Sequence, residues 1–290
     1  MNKIYKFLLL LLIPFFCSCQ ESTFKCNPNI QHIYTEYDYN SLEKDWIKKD
    51  LEFAKKIKEV LESNSKENIL NAIPINKTHK KFKLINEHVS INESYGKGYF
   101  GIFYDYVLKN DSLISYKLSI NRKKILYIKK YGIDLRDLFF YDKEENAYIY
   151  LYNVDEVSKP YKEIKGFEST NDKIKFYMSP FSGTRYGCRG GYGNIIIDNR
   201  CAFKQIENDL TTEDIFYILH SINPASRLTA VEYYYKNTDR FNEKEQEDIE
   251  IIIENIYEEL GDEIEVLSGD IVLYGNPRDA VKRQLEKECW

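Results

Sequence analysis

The clearest strand signal of the chain is Leu113-Ile114-Ser115-Tyr116-Lys117-Leu118-Ser119-Ile120. From Ile114 to Ile120 every second residue is apolar and the residues between are polar, which predicts a strand that buries one face. The stretch follows residues 99 to 108 across a short turn at Asn110-Asp111. The two segments together predict an antiparallel hairpin.

Alternation of apolar and polar residues, the pattern of strands, extends through residues 80 to 203. The further strands that it predicts are residues 82–91, 124–129, 147–152, 174–178 and 194–197. No long amphipathic crossover separates these segments. We therefore expect about six strands in one antiparallel sheet, with a strand order that the sequence does not reveal.

Helical periodicity lies on either side of this strand-rich part. Asn40 and Glu43 predict the start of an amphipathic helix to about residue 64. Later helix starts are predicted at Thr211 with Asp214, Asn223-Pro224, Asn242 with Glu245, and Asn276-Pro277. One further strand is predicted near residues 270 to 274. The fold class is α+β, with an N-terminal helix, a central antiparallel sheet and C-terminal helices.

The N-terminus has the three parts of an export signal. Lys3 and Lys6 precede an apolar run from residue 7 to 16, and Cys17-Ser18-Cys19 follows. The run is shorter than the roughly 20 residues of a membrane-spanning helix, which favours a cleaved signal over a permanent span. This end resembles the lipobox of bacterial lipoproteins, in which a small residue precedes the cysteine that is lipidated. The resemblance implies cleavage before Cys19 and a lipid anchor on its sulfur, because Ser18 is small. An ordinary signal cleaved nearby and an uncleaved anchor are the alternatives.

Cleavage would divide the chain into a signal (residues 1–18), a tether (19–40) and one globular domain (41–290), strand-rich over 80–203 and helix-rich over 211–290. The formal charge of the whole chain is −5, and loss of the two N-terminal lysines makes it more negative. An acidic chain of this kind does not have the basic surface typical of nucleic-acid binders. We expect a protein of the bacterial cell envelope that faces outside the cytoplasm and contacts the membrane through lipid.

Four cysteines remain beyond Cys19, and outside the cytoplasm thiols tend to pair. Four cysteines allow three connectivities. We favour Cys188 with Cys201, because they are close along the chain and flank a glycine-rich segment. Cys26 and Cys289 then either pair with each other or stay free. No cysteine or histidine spacing typical of zinc is present, and no metal or cofactor is predicted.

The most unusual composition is found in residues 183 to 193, which contain five glycines, two arginines and two tyrosines. Glycines let a backbone approach a ligand, and Arg185, Tyr186, Arg189 and Tyr192 could hold an anion or a sugar. The alternative, which we favour, is a surface turn in which the glycines serve curvature alone. The segment matches neither a Walker loop nor a Rossmann fingerprint.

Tyr148, Tyr150 and Tyr152 alternate along one predicted strand. An exposed tyrosine row could stack on a glycan or a partner protein, whereas a row packed beneath helices would be part of the core. We favour the buried arrangement, because aromatic residues form strands and fill cores.

No nucleophile motif or zinc-protease motif is present, and the four histidines lie in unrelated contexts, with His220 expected to be structural. Asp105, Asp134, Asp137 and Asp142 lie in the strand-rich part, where paired carboxylates could support hydrolysis. The leading hypothesis is a noncatalytic lipoprotein that binds a protein, peptide or glycan, or inhibits a toxin. The alternatives are a lipid-anchored hydrolase and a structural component of the envelope.

Overall fold

The computed structural model describes residues 44–63, 65–76, 80–143, 145–190, 195–262, 264–269 and 271–286, without the side chains of Ser169 and Ser268. The export signal, the tether, Cys26, Tyr192 and Cys289 lie outside these ranges. Within them the fold is α+β, as predicted, with a six-stranded antiparallel sheet and a smaller second sheet. None of the described helices is both long and apolar enough to span a bilayer.

The large sheet has the strand order β1-β2-β3-β4-β6-β5. Its strands are β1 (Phe82–Lys83), β2 (His88–Gly96), β3 (Gly101–Lys109), β4 (Ser112–Asn121), β5 (Phe140–Asp142) and β6 (Ala147–Tyr152). The predicted hairpin is β3 and β4, and Asn110 and Asp111 at its turn both have positive φ. Asparagine and aspartate tolerate this conformation, which suits a two-residue hairpin turn.

Three helices cover the inner face of the large sheet. They are α1 (Lys44–Ser63), α2 (Lys66–Ala72) and α3 (Arg122–Lys130). Phe53 and Ile57 of α1 and Ile128 of α3 pack on Tyr104 and Leu118 of the sheet. The core between these two layers is rich in aromatic side chains.

The small sheet has the strand order β10-β9-β7-β8. Its strands are β7 (Tyr186–Gly190), β8 (Ile195–Ile196), β9 (Ile264–Gly269) and β10 (Ile271–Gly275). β7 and β9 are parallel, and β8 and β10 join them antiparallel. The predicted strand near residue 270 is β10, but β9 and the second sheet itself were missed.

Six helices belong to the C-terminal half. They are α4 (Asp172–Met178), α5 (Asp198–Lys204), α6 (Thr212–Leu219), α7 (Pro224–Lys236), α8 (Glu243–Leu260) and α9 (Pro277–Leu285). The capping boxes predicted for α6 and α8 are present, and Asn223 and Asn276 cap α7 and α9. Helix α7 is buried almost all round and forms the centre of this half.

Two predicted strands are wrong, because residues 124–129 belong to α3 and residues 174–178 belong to α4. Asn121 and Asn171 cap these helices with their side chains. Short apolar runs fit a strand or a buried helix equally well, and the asparagine caps were the signal that distinguished them.

The prediction that Ile114 shares the buried face of Tyr116 is also wrong. The register of β3 and β4 shifts between Val107 and Leu108, and an extra residue on β4 brings Leu113 into the inner core instead. Ile114 packs beside Val107 on the outer face. One residue of slip moves a side chain to the other face of a sheet.

Residues 80 to 85 join the two halves of the molecule. β1 pairs with β2 in the large sheet, and the amide of Ile85 donates to the carbonyl of Ile222 at 3.4 Å. Leu84 packs with Val107 of the large sheet and with Ile222. This segment, here called the strap, lies at the boundary between the large sheet and the C-terminal half.

Candidate functional site

A pocket of about 390 Å³ lies between the strap, the small sheet and the helices α7 and α8. We call it the junction pocket. Its walls are formed by Lys80, Lys81, Phe82, Lys83, Leu84, Thr184, Tyr186, Pro224, Ala225, Leu228, Glu259, Leu260, Gly261, Asp262, Ile264, Glu265 and Tyr274. Its volume is in the range of pockets that take a small ligand or one side chain of a partner.

The floor of the junction pocket is apolar. Leu84 comes from the strap, Leu228 from α7, Leu260 from the end of α8 and Ile264 from β9. All four belong to the buried cores of the protein. Burying an aliphatic or aromatic side chain against such a floor contributes roughly 1.5 to 3 kcal/mol.

The rim is charged and carries both signs. Lys80 pairs with Glu265, and its Nζ lies 4.9 Å from the ring centroid of Tyr274. Arg185 lies 3.7 Å from the Glu265 carboxylate and stacks on Phe82 at 5.6 Å. Contacts with Glu265 and Tyr274 raise the pKa of Lys80, so the lysine is charged at neutral pH.

Glu265 is the anionic group of this rim that Lys80 and Arg185 share. One carboxylate oxygen accepts a hydrogen bond from the hydroxyl of Tyr274 at 3.0 Å. The other, Oε2, is buried and has no hydrogen-bond partner among the described residues. Because Nε of Arg185 lies 3.7 Å from this oxygen, the arginine charge offsets part of the cost of burying it.

A buried ion pair holds β7 against the helices behind the pocket. The Arg200 guanidinium donates to both carboxylate oxygens of Glu232, at 3.1 and 2.5 Å, and to the carbonyl of Gly187 at 3.1 Å. The hydroxyl of Tyr186 also donates to Glu232. Both charged side chains are fully buried, and burial raises the pKa of Tyr186 well above its ordinary value. This group fixes the pocket wall formed by β7.

Part of the glycine-rich segment is a strand, so the surface turn predicted over residues 183 to 193 is wrong for residues 186 to 190; residues 191 to 193 lie outside the described residues. Residues 186 to 190 form β7 at the centre of the small sheet. Gly187 has φ +150, and a Cβ there would lie 2.6 Å from the carbonyl oxygen of Leu267. Glycine is required because β7 and β9 approach closely.

The structure separates the four residues predicted to bind a ligand. Arg185 reaches the rim of the junction pocket, as described above. The hydroxyl of Tyr186 is bound to Glu232 and only its buried ring helps to line the pocket. Arg189 is exposed further along β7, and Tyr192 lies outside the described residues. Arg185 is therefore the predicted residue best placed to meet a ligand.

The two described cysteines lie on neighbouring elements. Cys188 is on β7 and Cys201 on α5, and the amide of Ile197 beside them donates to the carbonyl of Cys188 at 3.3 Å. That they bond to one another, and that Cys26 bonds to Cys289, remain predictions.

The tyrosine row packs in the core, as favoured. Tyr148, Tyr150 and Tyr152 are partly buried against the inner core of the large sheet. Tyr152 stacks on Tyr116 with ring centroids 4.8 Å apart. This row offers no exposed aromatic platform for a glycan.

His220 is held inside the C-terminal half. Its Nδ1 lies 2.9 Å from the carbonyl oxygen of Phe216, and its ring lies beside those of Phe216 and Tyr161. Burial lowers its pKa, so the imidazole is neutral at pH 7. These contacts agree with the structural role expected from the sequence.

The structure does not bring the four aspartates proposed for hydrolysis together in one group. Asp134 forms an ion pair with Arg136 at 2.6 Å, and Asp142 accepts from the amide of Glu145 at 3.0 Å. Asp137 lies in a short 3-10 turn. Asp105 instead belongs to a different charged group, together with residues of the neighbouring strand and of α5.

That group lies where the large sheet meets α5. Asp105 is the cross-strand neighbour of Lys117, which pairs with Glu145 at 3.0 Å. Desolvation raises the pKa of Asp105 and of Asp198 at the start of α5, and Lys117 opposes the effect at both. A lysine shared by three carboxylates is a cross-strand ion-pair network, and we interpret it as joining the two halves.

A second pocket, of about 320 Å³, lies at the N-terminal ends of α4 and α6. Asn171 caps α4, and Asp214 forms the capping box of α6 with Thr211. Glu213 accepts a hydrogen bond from Tyr217 at 2.5 Å. Because these polar groups already form hydrogen bonds within the protein, the junction pocket is the stronger candidate for a ligand site.

Sequence reasoning missed most of the junction pocket. Its floor residues come from four distant segments, and nothing in their spacing indicates that they meet. One signal was available in Lys80-Lys81-Phe82-Lys83, where three lysines surround an aromatic residue. Such a run beside a strand could have been proposed as a contact surface.

Among the described residues, no group of three or more His, Cys, Asp or Glu side chains could hold a metal ion. In the comparisons with known proteins, no family model, no curated protein and no solved structure matches the chain. The site therefore has to be interpreted from its own geometry.

Proposed function

We propose that this protein is a noncatalytic binding protein of the bacterial envelope that holds a segment of a partner polypeptide in the junction pocket. The observation that carries the proposal is the combination of an apolar floor with a rim of both charges. An apolar side chain of the ligand would fill the floor, and its backbone would meet the rim.

A peptide fits this pocket better than a free anion or a sugar. A free anion would compete with Glu265, which already pairs with Lys80 and Arg185. A sugar is held by polar walls, whereas the floor here is aliphatic. A peptide supplies an apolar side chain for the floor and backbone carbonyl groups for the lysines of the strap.

The proposal retains the location in the cell envelope that is expected from the sequence. The domain would be exported and held to a membrane by lipid on Cys19, so that the junction pocket meets partners outside the cytoplasm. Labelling of cells with a fatty acid tests the anchor. We expect the wild type to take up the label, and a Cys19→Ser variant that keeps it would contradict the anchor.

Tyr274→Ala is expected to weaken peptide binding about tenfold. The side chain forms part of the pocket wall, and removing an interface tyrosine costs more than about 1 kcal/mol when it is a binding hot spot. The ligand is a peptide selected from a random library on the wild-type soluble domain. Its affinity is measured by fluorescence polarisation with each variant.

Phe140→Ala is the matched control. Phe140 is 51% exposed and Tyr274 is 56% exposed, and each lies on an edge strand, but Phe140 belongs to the large sheet. We expect this control to bind as the wild type does. Failure to select any peptide, or equal binding by the wild type and Tyr274→Ala, would contradict the proposed site.

A further inference from the structure

The two sheets end in four edge strands, and three of them are very short. β1 and β8 have two residues each and β5 has three, whereas β10 has five. All five residues of β10 pair with β9, so the strand is fully extended. No other described strand pairs with β10 on its far side.

The edge formed by β10 lacks the usual protection against pairing. Ile271 is 61% exposed, Leu273 50% and Tyr274 56%. The strand Ile271–Gly275 contains no charged residue and no proline. Natural proteins block exposed edges with charges, prolines, bulges or short strands, and an edge without them is a template for another strand.

We propose that the ligand segment lies extended along β10 and adds a fifth strand to the small sheet. This inference rests on the proposed function, because it describes how the same polypeptide would be held. Tyr274 connects the two features, since it is a residue of the edge strand and also part of the pocket wall. Main-chain hydrogen bonds to β10 would supply affinity, and the pocket would select one side chain.

The two faces of β10 predict the chemistry of the ligand. Ile271 and Leu273 lie on one face and would meet apolar side chains. Tyr274 lies on the other face beside Lys80, whose side chain is half exposed. The strand pairing would hold an acidic ligand residue opposite Tyr274 beside Lys80, where it shares the ammonium with Glu265, whereas a free anion would have to displace Glu265. The ligand is therefore an extended segment with apolar residues on both faces and one acidic residue opposite Tyr274.

A second copy of this chain fits the edge less well. Its own β10 has no acidic residue to meet Lys80. Five paired residues also form a strip only about 17 Å long. One strand of this length buries far less than the roughly 1,200 Å² typical of stable interfaces, unless a second anchor such as the junction pocket contributes.

The test uses the library-selected peptide and the variant Leu273→Lys, which places a charge on the edge. Leu273 is half exposed, so the fold should tolerate the lysine. We expect binding to weaken at least about tenfold. Ile251→Lys is the matched control, because Ile251 is 63% exposed on α8, and its affinity should not change.

A second measurement detects the strand itself. N-methylation of the peptide at alternate residues should abolish binding in one alternation and spare it in the other, since only every second N–H of an added strand points at β10. Hydrogen exchange should slow at alternate amides between Ile271 and Gly275 when the peptide binds.

The outcomes separate this inference from the proposed function. If Tyr274→Ala weakens peptide binding while Leu273→Lys and N-methylation have no effect, that result would overturn the added strand but would still support binding in the junction pocket. Loss of binding in both Tyr274→Ala and Leu273→Lys, together with the alternating effect of N-methylation, supports the added strand. A dimer of the peptide-free protein that Leu273→Lys dissociates would assign the edge to a second copy and overturn the inference.

Discussion

Glu232→Leu is expected to lower the free energy of unfolding by about 3 to 5 kcal/mol. The substitution leaves Arg200 as a buried charge whose carboxylate partner is gone, and it removes the acceptor of the Tyr186 hydroxyl. Most of the loss comes from the uncompensated guanidinium, since leucine itself suits a buried position. Urea unfolding of the wild type and the variant measures it.

The combined variant Tyr186→Phe, Arg200→Met, Glu232→Leu is the control. It replaces all three polar partners with apolar side chains of similar size, which leaves no buried charge. We expect it to recover most of the stability that Glu232→Leu loses. If the combined variant is as unstable as Glu232→Leu alone, the ion pair stabilises the fold by more than the cost of burying its two charges.

Asp50→Ala is expected to cost about 3 kcal/mol of stability. Asp50 lies buried on α1 and accepts from the amides of Tyr99 and Phe100 and from the hydroxyl of Tyr127, each at 3.1 Å. Alanine leaves all three donors without this acceptor. Because two of them belong to the β2–β3 connection, we also expect faster hydrogen exchange there.

The pH dependence of Asp50 gives an independent check. Burial raises its pKa above the ordinary 3.8, although the hydrogen bonds from Phe100 and Tyr127 act in the opposite direction. The folded state therefore binds the proton more tightly than the unfolded state, and the contribution of Asp50 to stability falls as pH rises from 3.8 through the folded pKa. The stability advantage of the wild type over Asp50→Asn should be smaller at pH 7 than at pH 4, and a larger advantage at pH 7 would contradict this account.

The fold class could be predicted from the sequence because periodicity and helix caps are local signals. Asn223-Pro224 and Asn242 with Glu245 mark helix starts that the structure confirms. The strand predicted over residues 124 to 129 failed because a short apolar run does not distinguish the two periods. The second sheet was missed because β7 pairs with β9, about 80 residues further along the chain.

The charged residues inside the protein could not be predicted. Asp50 and Glu232 lie in helices, where a charged residue ordinarily indicates the solvated face. Both are buried because partners from distant segments satisfy them. Arg185 was found through its unusual glycine-rich setting, whereas Glu265 and Tyr274 had no local signal.

The most direct test of peptide binding in the junction pocket is methyl NMR of the soluble domain during titration with the selected peptide. We expect the methyl resonances of Leu84, Leu228, Leu260 and Ile264 to shift together, and those of Ile57 beneath the large sheet to stay unchanged. Shifts confined to methyl groups beneath the large sheet, with the four floor residues unaffected at saturation, would contradict the proposed function.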